Sequence, residues 1–314
     1  LVAAALTQHE LRQAARAKFS RAPRMLFTRA GLEQASAEVT ARHRAGRYAA
    51  GRLADLCCGV GGDLITLAVD HEVLAVDRDA LHLRMAVYNA GVYDTAARVS
   101  ACHADVREVD LTGVDAVFVD PARRAGTRRL RAGASEPPLK WCFALADRVA
   151  AVGIKAAPGL PAQVVPAGWE TEFVADGRDL KEAVLWSPAL AKAPRRATIL
   201  PAGHTLLPDP GPAVPIAEPG GFLLDPNPAV TRAGLVEELA RRLDAWKIDP
   251  KIAFLSTDID TRTPFARTLR VIESAPWNEK QFARRLRALG IGAADIRRRG
   301  LAGDVDQIHR RLKL

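Results

Sequence analysis

Short apolar runs alternate with helical segments from Leu53 onward, and this alternation restricts the fold of the chain more than any other feature. Runs of this length are typical of strands that are buried on both faces of a parallel sheet. The pattern therefore predicts an α/β, Rossmann-like doubly wound fold. The predicted strands are Leu53–Cys58, Val73–Asp77, Val99–His103, Ala116–Asp120 and Val149–Lys155, and the predicted helices between the earlier ones are Asp63–Ala68 and Ala80–Ala90.

The remaining sequence divides the chain into four segments. Residues 1–50 have a helical pattern, residues 51–204 contain the α/β pattern, and Pro and Gly cluster in a predicted linker over residues 205–222. Residues 223–314 are predicted to form a second, small α/β unit. Within the α/β segment, Glu170–Val174 and Glu182–Trp186 resemble an antiparallel pair joined by a turn at Asp176–Gly177.

The second unit has a less regular pattern. Ala229–Lys247 has the apolar spacing of one helix, with Leu235, Leu239, Leu243 and Trp246 on one face. We predict strands at Ile252–Ser256, Ala266–Ser274 and Ala294–Arg298, and helices at Glu279–Leu289 and Asp304–Leu312.

The composition restricts the cellular compartment that we expect for the chain. Apolar residues make up 48% and charged residues 26% of the sequence, as is typical of a soluble globular protein. No apolar run is long enough to span a membrane, and Leu1–Glu10 is interpreted as a helix and not as a signal peptide. The four cysteines have neither a disulfide-framework spacing nor a zinc spacing. We therefore expect a cytoplasmic protein with no membrane and no metal site.

The loop Asp55–Asp63 follows the first predicted strand and opens a helix. Its glycines allow a tight turn and a close approach of the backbone to a ligand, and Asp63 is expected to cap the helix. Dinucleotide folds use similar glycines to bind a pyrophosphate. Two acids in the loop would repel a pyrophosphate but suit the amino group and the sulfonium of S-adenosylmethionine. The loop therefore favours S-adenosylmethionine over NAD.

Acidic residues also follow the next three strands. Asp77, which precedes Arg78, is placed to accept hydrogen bonds from ribose hydroxyls, and Asp105, which precedes Val106, from an adenine amino group. Asp120 ends the fourth strand. Because ligands of open α/β sheets bind outside the carboxyl ends of the strands, we expect these side chains to share one cavity.

These residues resemble a known family. Asp55–Asp63 resembles motif I of class I S-adenosylmethionine-dependent methyltransferases, with Cys57 at the first Gly position, and its core is similar to the trimethylguanosine synthase branch. The whole chain resembles bacterial, largely actinobacterial, members with a THUMP-like C-terminal domain. The resemblance implies a segment, Phe27–Ala35, that covers the cofactor pocket. With the strand-end acids, the expected cofactor-binding residues are Asp55, Cys57, Cys58, Gly59, Gly61, Gly62, Asp63, Asp77, Arg78, Asp105, Val106 and Asp120.

The sequence Asp120-Pro121-Ala122-Arg123 is similar to the motif that binds the target amino group in N-methyltransferases. Ala122 and Arg123 stand where that motif has a second Pro and an aromatic residue. Arg123 and Arg124 either bind a phosphate or a base, or pair with carboxylates. We expect Asp120, Pro121 and Arg123 to form the catalytic part of the site.

The same motif resembles the Asp-Pro-Pro-Arg of 5-methyluridine enzymes, which need a nucleophilic Cys after the next strand. This chain has Lys155 and no thiol there, so nitrogen methylation is favoured. Lys155 is either a substrate contact or an ordinary base at a strand end.

The second unit is basic. Residues 225–314 contain 18 Lys and Arg and 12 Asp and Glu, so most of the net charge of +9 lies there. Clustered arginines suit the phosphates of RNA, and a solvated surface is the alternative. For the aromatic residues Phe265 and Trp277, base stacking is one interpretation, and core packing is favoured for Trp277. The expected RNA-contacting arginines are Arg284, Arg285, Arg297 and Arg298.

The leading hypothesis is a methyltransferase that modifies a base of tRNA or rRNA, preferentially at an exocyclic nitrogen. Two alternatives stay open: a methyltransferase of a protein or small molecule, and a non-catalytic RNA-binding module that keeps a relic pocket. The acids around the loop oppose an NAD oxidoreductase. The sequence predicts neither the base nor the oligomeric state.

Overall fold

The structure is a computed structural model that describes residues 2–122, 135–297 and 304–312, together with the backbone of residues 124–125 and 128–129. Arg123, Arg298 and the side chain of Arg124 lie outside the described residues. The chain forms two compact units. The first comprises Leu1–Pro208 with Pro228–Leu235, and the second comprises Asp209–Asn227 with Val236–Leu314.

Helices occupy the amino-terminal part of the first unit, as the sequence predicts. They are α1 (Val2–Ala15), α2 (Arg29–Gln34) and α3 (Glu38–Ala45). Phe19 and Phe27 stack with ring centroids 5.7 Å apart, and both are buried with Val60 and Ile65 in one apolar cluster. The amino-terminal segment therefore packs on the loop and the helix that follow the first strand.

The predicted strands and helices between residues 52 and 156 are confirmed, with shifts of one or two residues at most ends. They are β1 (Arg52–Leu56), α4 (Leu64–Leu67), β2 (Glu72–Asp77), α5 (Ala80–Val92), β3 (Val99–His103), β4 (Ala116–Val119) and β7 (Ala151–Ala156). Three short elements between β4 and β7 were not predicted: β5 (Arg124–Ala125), β6 (Arg128–Arg129) and α6 (Leu139–Ala144). Buried apolar residues such as Leu53, Val73 and Phe118 form the core between sheet and helices.

The antiparallel pair is also confirmed, as β8 (Glu170–Asp176) and β9 (Asp179–Trp186). Two further strands, β10 (Arg195–Leu200) and β11 (His204–Leu206), were not predicted. The nine-stranded sheet has the order β11-β10-β8-β9-β7-β4-β1-β2-β3. Strands β3, β2, β1, β4 and β7 are parallel neighbours. The chain changes direction across the sheet between β1 and β4, which is where doubly wound folds open a ligand crevice.

Buried acids on β8 bind bases from α3 and the residues just after it. Glu172 accepts hydrogen bonds from His43 at 2.8 Å and from the Trp186 indole at 2.8 Å. Glu170 accepts from Arg47. Because buried charges are stable only when they are paired, these contacts fix the position of α3 on the sheet.

The second unit contains an antiparallel sheet in the order β13-β14-β12-β15. Its strands are β12 (Phe222–Pro226), β13 (Trp246–Lys247), β14 (Leu255–Thr257) and β15 (Ala266–Arg270), its helices are α8 (Val236–Arg242), α9 (Glu279–Ala288) and α10 (Val305–Leu312), and α7 (Pro228–Ala233) belongs to the first unit. The small α/β character of this unit agrees with the sequence prediction.

Three details of that prediction are wrong. The single helix over Ala229–Lys247 is divided into α7 and α8 at Gly234, whose φ of 66° ends α7, and Trp246 lies in a strand. Residues 294–297, the described part of the strand predicted at Ala294–Arg298, have no regular secondary structure. Trp277 is 42% exposed and is therefore not a core residue.

Among the described residues, no helix has the length and apolar character needed to cross a membrane.

Candidate active site

The carboxyl ends of β1, β2 and β4 open into a cavity of about 680 Å³, a volume within the usual range of small-molecule sites. All four strand-end acids predicted from the sequence line it. The lining residues are Gly31, Glu33, Gln34, Ala35, Ser36, Asp55, Cys57, Cys58, Gly59, Val60, Gly62, Asp63, Asp77, Arg78, Asp79, His82, Asp105, Val106, Arg107, Asp120, Pro121, Ala122, Glu136 and Pro137. The predicted cofactor residues other than Gly61 are therefore brought together at one cavity.

The loop between β1 and α4 has left-handed backbone at three positions. Cys57, Gly59 and Gly61 have φ values of 63°, 55° and 86°. A Cβ on Gly61 would lie 3.0 Å from the Cα of Ala86 on α5, so this glycine lets the helix pack against the loop. A Cβ on Gly59 would meet no described atom within 4 Å, so the open space beside Gly59 belongs to the cavity.

Asp77 at the end of β2 holds the loop in place. Its Oδ2 accepts a hydrogen bond from the backbone N–H of Gly59 at 2.8 Å, and its Oδ1 accepts one from the N–H of Asp79 at 2.8 Å. Asp79 caps α5 by accepting from the N–H groups of Leu81 and His82, as expected from the sequence. Each oxygen of Asp77 keeps a second lone pair for a ligand.

Asp55 is fully buried at the end of β1. Neither of its carboxyl oxygens has a hydrogen-bond partner among the described residues. Burial, followed by the negative charge of Asp63, raises the pKa of Asp55 well above its ordinary value. A buried polar group without a partner is rare and costly in proteins, so this carboxyl group is available to a donor or a cation that a ligand brings.

Asp63 does not cap α4, contrary to the sequence expectation. Within the described structure its side chain makes no capping hydrogen bond. It accepts hydrogen bonds instead from the buried Arg44 guanidinium and, at 2.8 Å, from Ser36 Oγ. Arg44 also donates to the buried Glu182 on β9. Pairing with a buried guanidinium stabilises the Asp63 carboxylate more than one capping hydrogen bond at the helix end would.

Sequence reasoning missed Arg44 and Ser36. Arg44 is only 1% exposed, but its sequence neighbours are polar and Ala-rich, so no apolar periodicity marks it as an interior residue. Its burial depends on partners that lie far away in the sequence.

Asp105 lies at the rim of the cavity. Its two oxygens accept hydrogen bonds from Arg107 Nε at 3.0 Å and Nη2 at 3.1 Å, and the hydrogen bond from the Arg107 side chain lowers the pKa of Asp105. Arg107 also pairs with Glu136. The sequence analysis did not predict Arg107 and Glu136 as residues of the site. The position of Arg107, two residues after Asp105, was a usable signal, because this spacing permits a local ion pair.

Asp120 and Pro121 both line the cavity. The Asp120 side chain is 24% exposed, and its Oδ2 lies 2.7 Å from Nζ of Lys155 on β7. Lys155 is buried, so one of the two alternatives that the sequence leaves open, a surface base at the strand end, is excluded.

The amino-terminal segment forms one wall of the cavity. Thr28 caps α2 by accepting from the N–H of Gly31 at 2.9 Å, and Gly31 to Ser36 include five lining residues. Asn89 on α5 joins this segment to the loop, because it exchanges two hydrogen bonds with the backbone of Leu26 and donates a third to the carbonyl of Val60. The expectation that Phe27–Ala35 covers the pocket agrees with this arrangement.

The loop thiols are poorly suited to nucleophilic chemistry. Burial, and then the charge of Asp77, raises the pKa of Cys57, and burial also raises the pKa of Cys58. A thiol with a raised pKa is protonated and unreactive near neutral pH. This agrees with the interpretation of both cysteines as small packing residues.

The predicted RNA-contacting residues of the second unit differ in their surroundings. Arg284 and Arg285 are exposed on α9, and Arg285 pairs with Glu273. Arg297 pairs with the buried Asp225, so part of its guanidinium is occupied. Phe265 is buried. Arg298 lies outside the described residues.

Comparisons with known proteins agree with this geometry. Residues 50–136 match the family model described as RNA cap guanine-N2 methyltransferase, and residues 266–314 match the model described as THUMP domain-like. The chain is 36% identical over 297 residues to a protein found in two strains of Mycobacterium tuberculosis and named as an uncharacterized S-adenosylmethionine-dependent methyltransferase. The match covers 92% of this chain and 81% of the relative.

A solved structure from Porphyromonas gingivalis W83, described as a candidate methyltransferase, has the same fold. It matches at 21% identity with a TM-score of 0.79 and covers 98% of this chain and 83% of that one. The identity and coverage of the mycobacterial relatives show that the chain, with its THUMP-like carboxyl-terminal domain, belongs to the S-adenosylmethionine-dependent methyltransferases and uses S-adenosylmethionine as its cofactor.

Proposed function

We propose that the protein methylates an exocyclic amino group of a base in tRNA or rRNA. The observation that carries this proposal is the meeting of Asp55, Asp77 and Asp120 at one cavity beside the loop of Gly59. This arrangement supplies hydrogen-bond acceptors for two groups. One is a cofactor that carries a cationic amino acid moiety, and the other is the amino group that is to be methylated.

The residues fit the cofactor. The buried Asp55 carboxyl has no partner among the described residues, and the space next to Gly59 is open. The Asp55 carboxyl can accept hydrogen bonds from the amino group of a ligand, and the space beside Gly59 can hold the rest of that ligand. S-adenosylmethionine supplies an activated methyl group when it is bound.

Each acid has a separate role in this proposal. Asp55 accepts from the amino end of the cofactor, Asp77 from its ribose hydroxyls, and Asp105 from its adenine amino group. Asp77 is already oriented by two backbone N–H groups, and Asp105 is oriented by Arg107. Acceptors that are fixed before binding lose little conformational entropy when the ligand arrives.

Asp120 is the candidate acceptor-side residue. A carboxylate oxygen that accepts a hydrogen bond from the target amino group turns the nitrogen lone pair towards the methyl donor. Pro121 has no N–H to compete for that carboxylate, and it lines the cavity next to Asp120. Arg123 remains part of the proposed catalytic group, although it lies outside the described residues.

The second unit supports an RNA substrate. Trp277 and Phe282 are 42% and 41% exposed, and their ring centroids are 5.3 Å apart. The exposed Arg284 and Arg285 lie on the same helix as Phe282. Exposed aromatic rings beside arginines suit unpaired bases, because bases stack on the rings while the arginines neutralise the phosphates. With tRNA or rRNA as the substrate, the location that we propose for the protein is the cytoplasm.

Methyl incorporation tests the proposal. The purified protein is incubated with tritiated S-adenosylmethionine and, separately, with total RNA and total protein from a strain that lacks the gene. We expect label in RNA, and mass spectrometry of the nucleosides then identifies the base. Label in protein alone would contradict the proposal, as would a methylated ring carbon in RNA. Asp120→Asn is expected to lower the rate by about 100-fold or more, because it disturbs the alignment of the target nitrogen.

A further inference from the structure

We propose that Lys155 is a positioning residue that holds the Asp120 carboxylate in its working orientation, and that Ser36 connects this pair to the amino-terminal segment. The proposal rests on the role given to Asp120 above. Lys155 Nζ donates to Asp120 Oδ2 at 2.7 Å and to Ser36 Oγ at 2.9 Å. The ammonium group is therefore shared between the acceptor-side acid and the wall of the cavity.

The surroundings of Lys155 favour a supporting role over contact with the target base. Its side chain is only 5% exposed, and it is not among the residues that line the cavity in the described structure. A buried ammonium is stable only when paired, and Asp120 supplies the counter-charge. Asp120 itself is 24% exposed, so the carboxylate and not the ammonium faces the cavity.

The pairing defines which part of Asp120 is available. Oδ2 is occupied by Lys155. Because no described residue donates to Oδ1, this oxygen keeps both lone pairs, within the described structure, for the target amino group. Without Lys155 the carboxylate would be free to rotate and would lose this preference. A displacement of a reacting group by about 1 Å is enough to lower a rate by about 100-fold.

A chain of contacts continues from Lys155 into the sheet. Ser36 accepts from Lys155 and donates to Asp63 at 2.8 Å, and Asp63 pairs with the buried Arg44. Ser36 lies between α2 and α3, so its position depends on the docking of the amino-terminal helices. The acceptor-side acid and the loop acid Asp63 are therefore coupled through one serine of the cavity wall.

Four variants test this inference: Lys155→Met, Lys155→Arg, Ser36→Ala and, as a matched surface control, Lys181→Met, which changes a lysine that is 37% exposed on β9. The Kd for S-adenosylmethionine is measured by calorimetry, and kcat and KM are measured on total RNA from the deletion strain. For Lys155→Met we expect kcat to fall about 100-fold with the cofactor Kd within about threefold of the native value. Lys155→Arg should recover about a tenth of the native kcat or more, since it restores the charge with altered geometry.

A double-mutant cycle separates positioning from a general structural effect. If Lys155 acts through Asp120, Lys155→Met added to Asp120→Asn should change kcat by less than about threefold. A further loss as large as that of the single variant would overturn the inference, as would a native kcat in Lys155→Met. Ser36→Ala should lower kcat by about tenfold, a loss comparable to that of one hydrogen bond to a charged group, and an unchanged kcat would remove Ser36 from the scheme.

Two further readouts keep the inference testable on its own. If Lys155→Met does not fold, Lys155→Arg and Ser36→Ala decide the outcome through kcat. If the native protein methylates no RNA, the proposed function fails, and crystal structures of the native protein and of the Lys155 variants still test the positioning. An Asp120 carboxylate that keeps its orientation without Lys155 would overturn the inference, and a rotated carboxylate with an unchanged cofactor Kd would support it.

Discussion

The Oδ2 atom of Asp77 lies 2.8 Å from the backbone nitrogen of Gly59, so the acid at the end of β2 holds the loop at the end of β1. In the proposed site, Asp77 affects cofactor binding in two ways, because it accepts hydrogen bonds from the ribose and also supports the loop. For Asp77→Ala we expect the Kd for S-adenosylmethionine to rise by about 10- to 100-fold, because hydrogen bonds to a charged group contribute about 1.5–3 kcal/mol each.

Calorimetry measures this Kd. Asp77→Asn keeps one acceptor oxygen and should lose less affinity. Asp94→Asn, at an exposed acid that pairs with Arg21, is the control and should bind normally. Full affinity in Asp77→Ala would contradict the assignment of this residue to the cofactor.

Two glycines of the loop should respond differently to the same substitution. Gly61→Ala places a Cβ 3.0 Å from the Cα of Ala86 at a φ of 86°, so we expect a Tm lower by several degrees. Gly59→Ala meets no described atom within 4 Å, and only its φ of 55° opposes it, at a cost of about 1 kcal/mol. Gly59→Ala should therefore fold with a smaller loss of Tm but bind the cofactor weakly. Thermal melts and calorimetry on both variants check this contrast, and equal losses of Tm would refute it.

Asp55 should make the ligand-free protein less stable as the pH rises. Because burial raises its pKa in the folded state, the folded protein holds a proton that the unfolded chain releases above about pH 4. Stability is then lost as the pH rises from that value through the raised pKa. Asp55→Asn should remove this loss, raise the Tm at pH 8 and weaken cofactor binding. A Tm at pH 8 below that of the native protein would contradict the prediction.

Glu172 should have the opposite pH dependence. Burial alone would raise its pKa, but hydrogen bonds from His43, Thr198 and Trp186 lower it to about 2. Its stabilising effect is therefore complete above about pH 4.5, near the pKa of an unfolded Glu, and is lost as the pH falls towards 2. Thermal melts between pH 2 and pH 6 should show a shallower slope for Glu172→Gln than for the native chain. An equal slope in Glu172→Gln and in the native chain would contradict this prediction.

The exposed aromatic pair should distinguish single-stranded from double-stranded RNA. Trp277→Ala and Phe282→Ala should each weaken binding of an unpaired oligonucleotide by about 5- to 100-fold, because stacking contributes about 1–3 kcal/mol per base. Binding to duplex RNA should change much less. Ile272→Ala, at a side chain that is 75% exposed, serves as the control in fluorescence titrations. Equal losses for both kinds of RNA would argue against stacking.

The parallel half of the sheet was predictable because its signal is local. The strands from β1 to β4 are short, and each has an acid at or near its carboxyl end, where the chain leaves the sheet. The four acids could be assigned to one cavity because the carboxyl ends of parallel strands share one edge.

The parts that sequence reasoning missed depend on distant partners. Arg44 is buried because it meets Asp63, 19 residues away, and Glu182, 138 residues away. No local pattern encodes either distance. The sequence prediction missed the break between α7 and α8 at Gly234 for another reason. The apolar spacing of the two short helices continues in phase across the glycine, so it resembles that of one helix.

Leu26 and Asn89 are separated by 63 residues in the chain, and their hydrogen bonds attach the amino-terminal segment, which forms one wall of the cavity, to α5. During synthesis the helices of this segment leave the ribosome before α5, so their docking surface on α5 appears only later. We therefore expect the nascent chain to pass through a stage in which the sheet is still incomplete and the amino-terminal segment has nowhere to dock. The ability to bind the cofactor should then be acquired only after α5 and the strand that precedes Asp120 have been made.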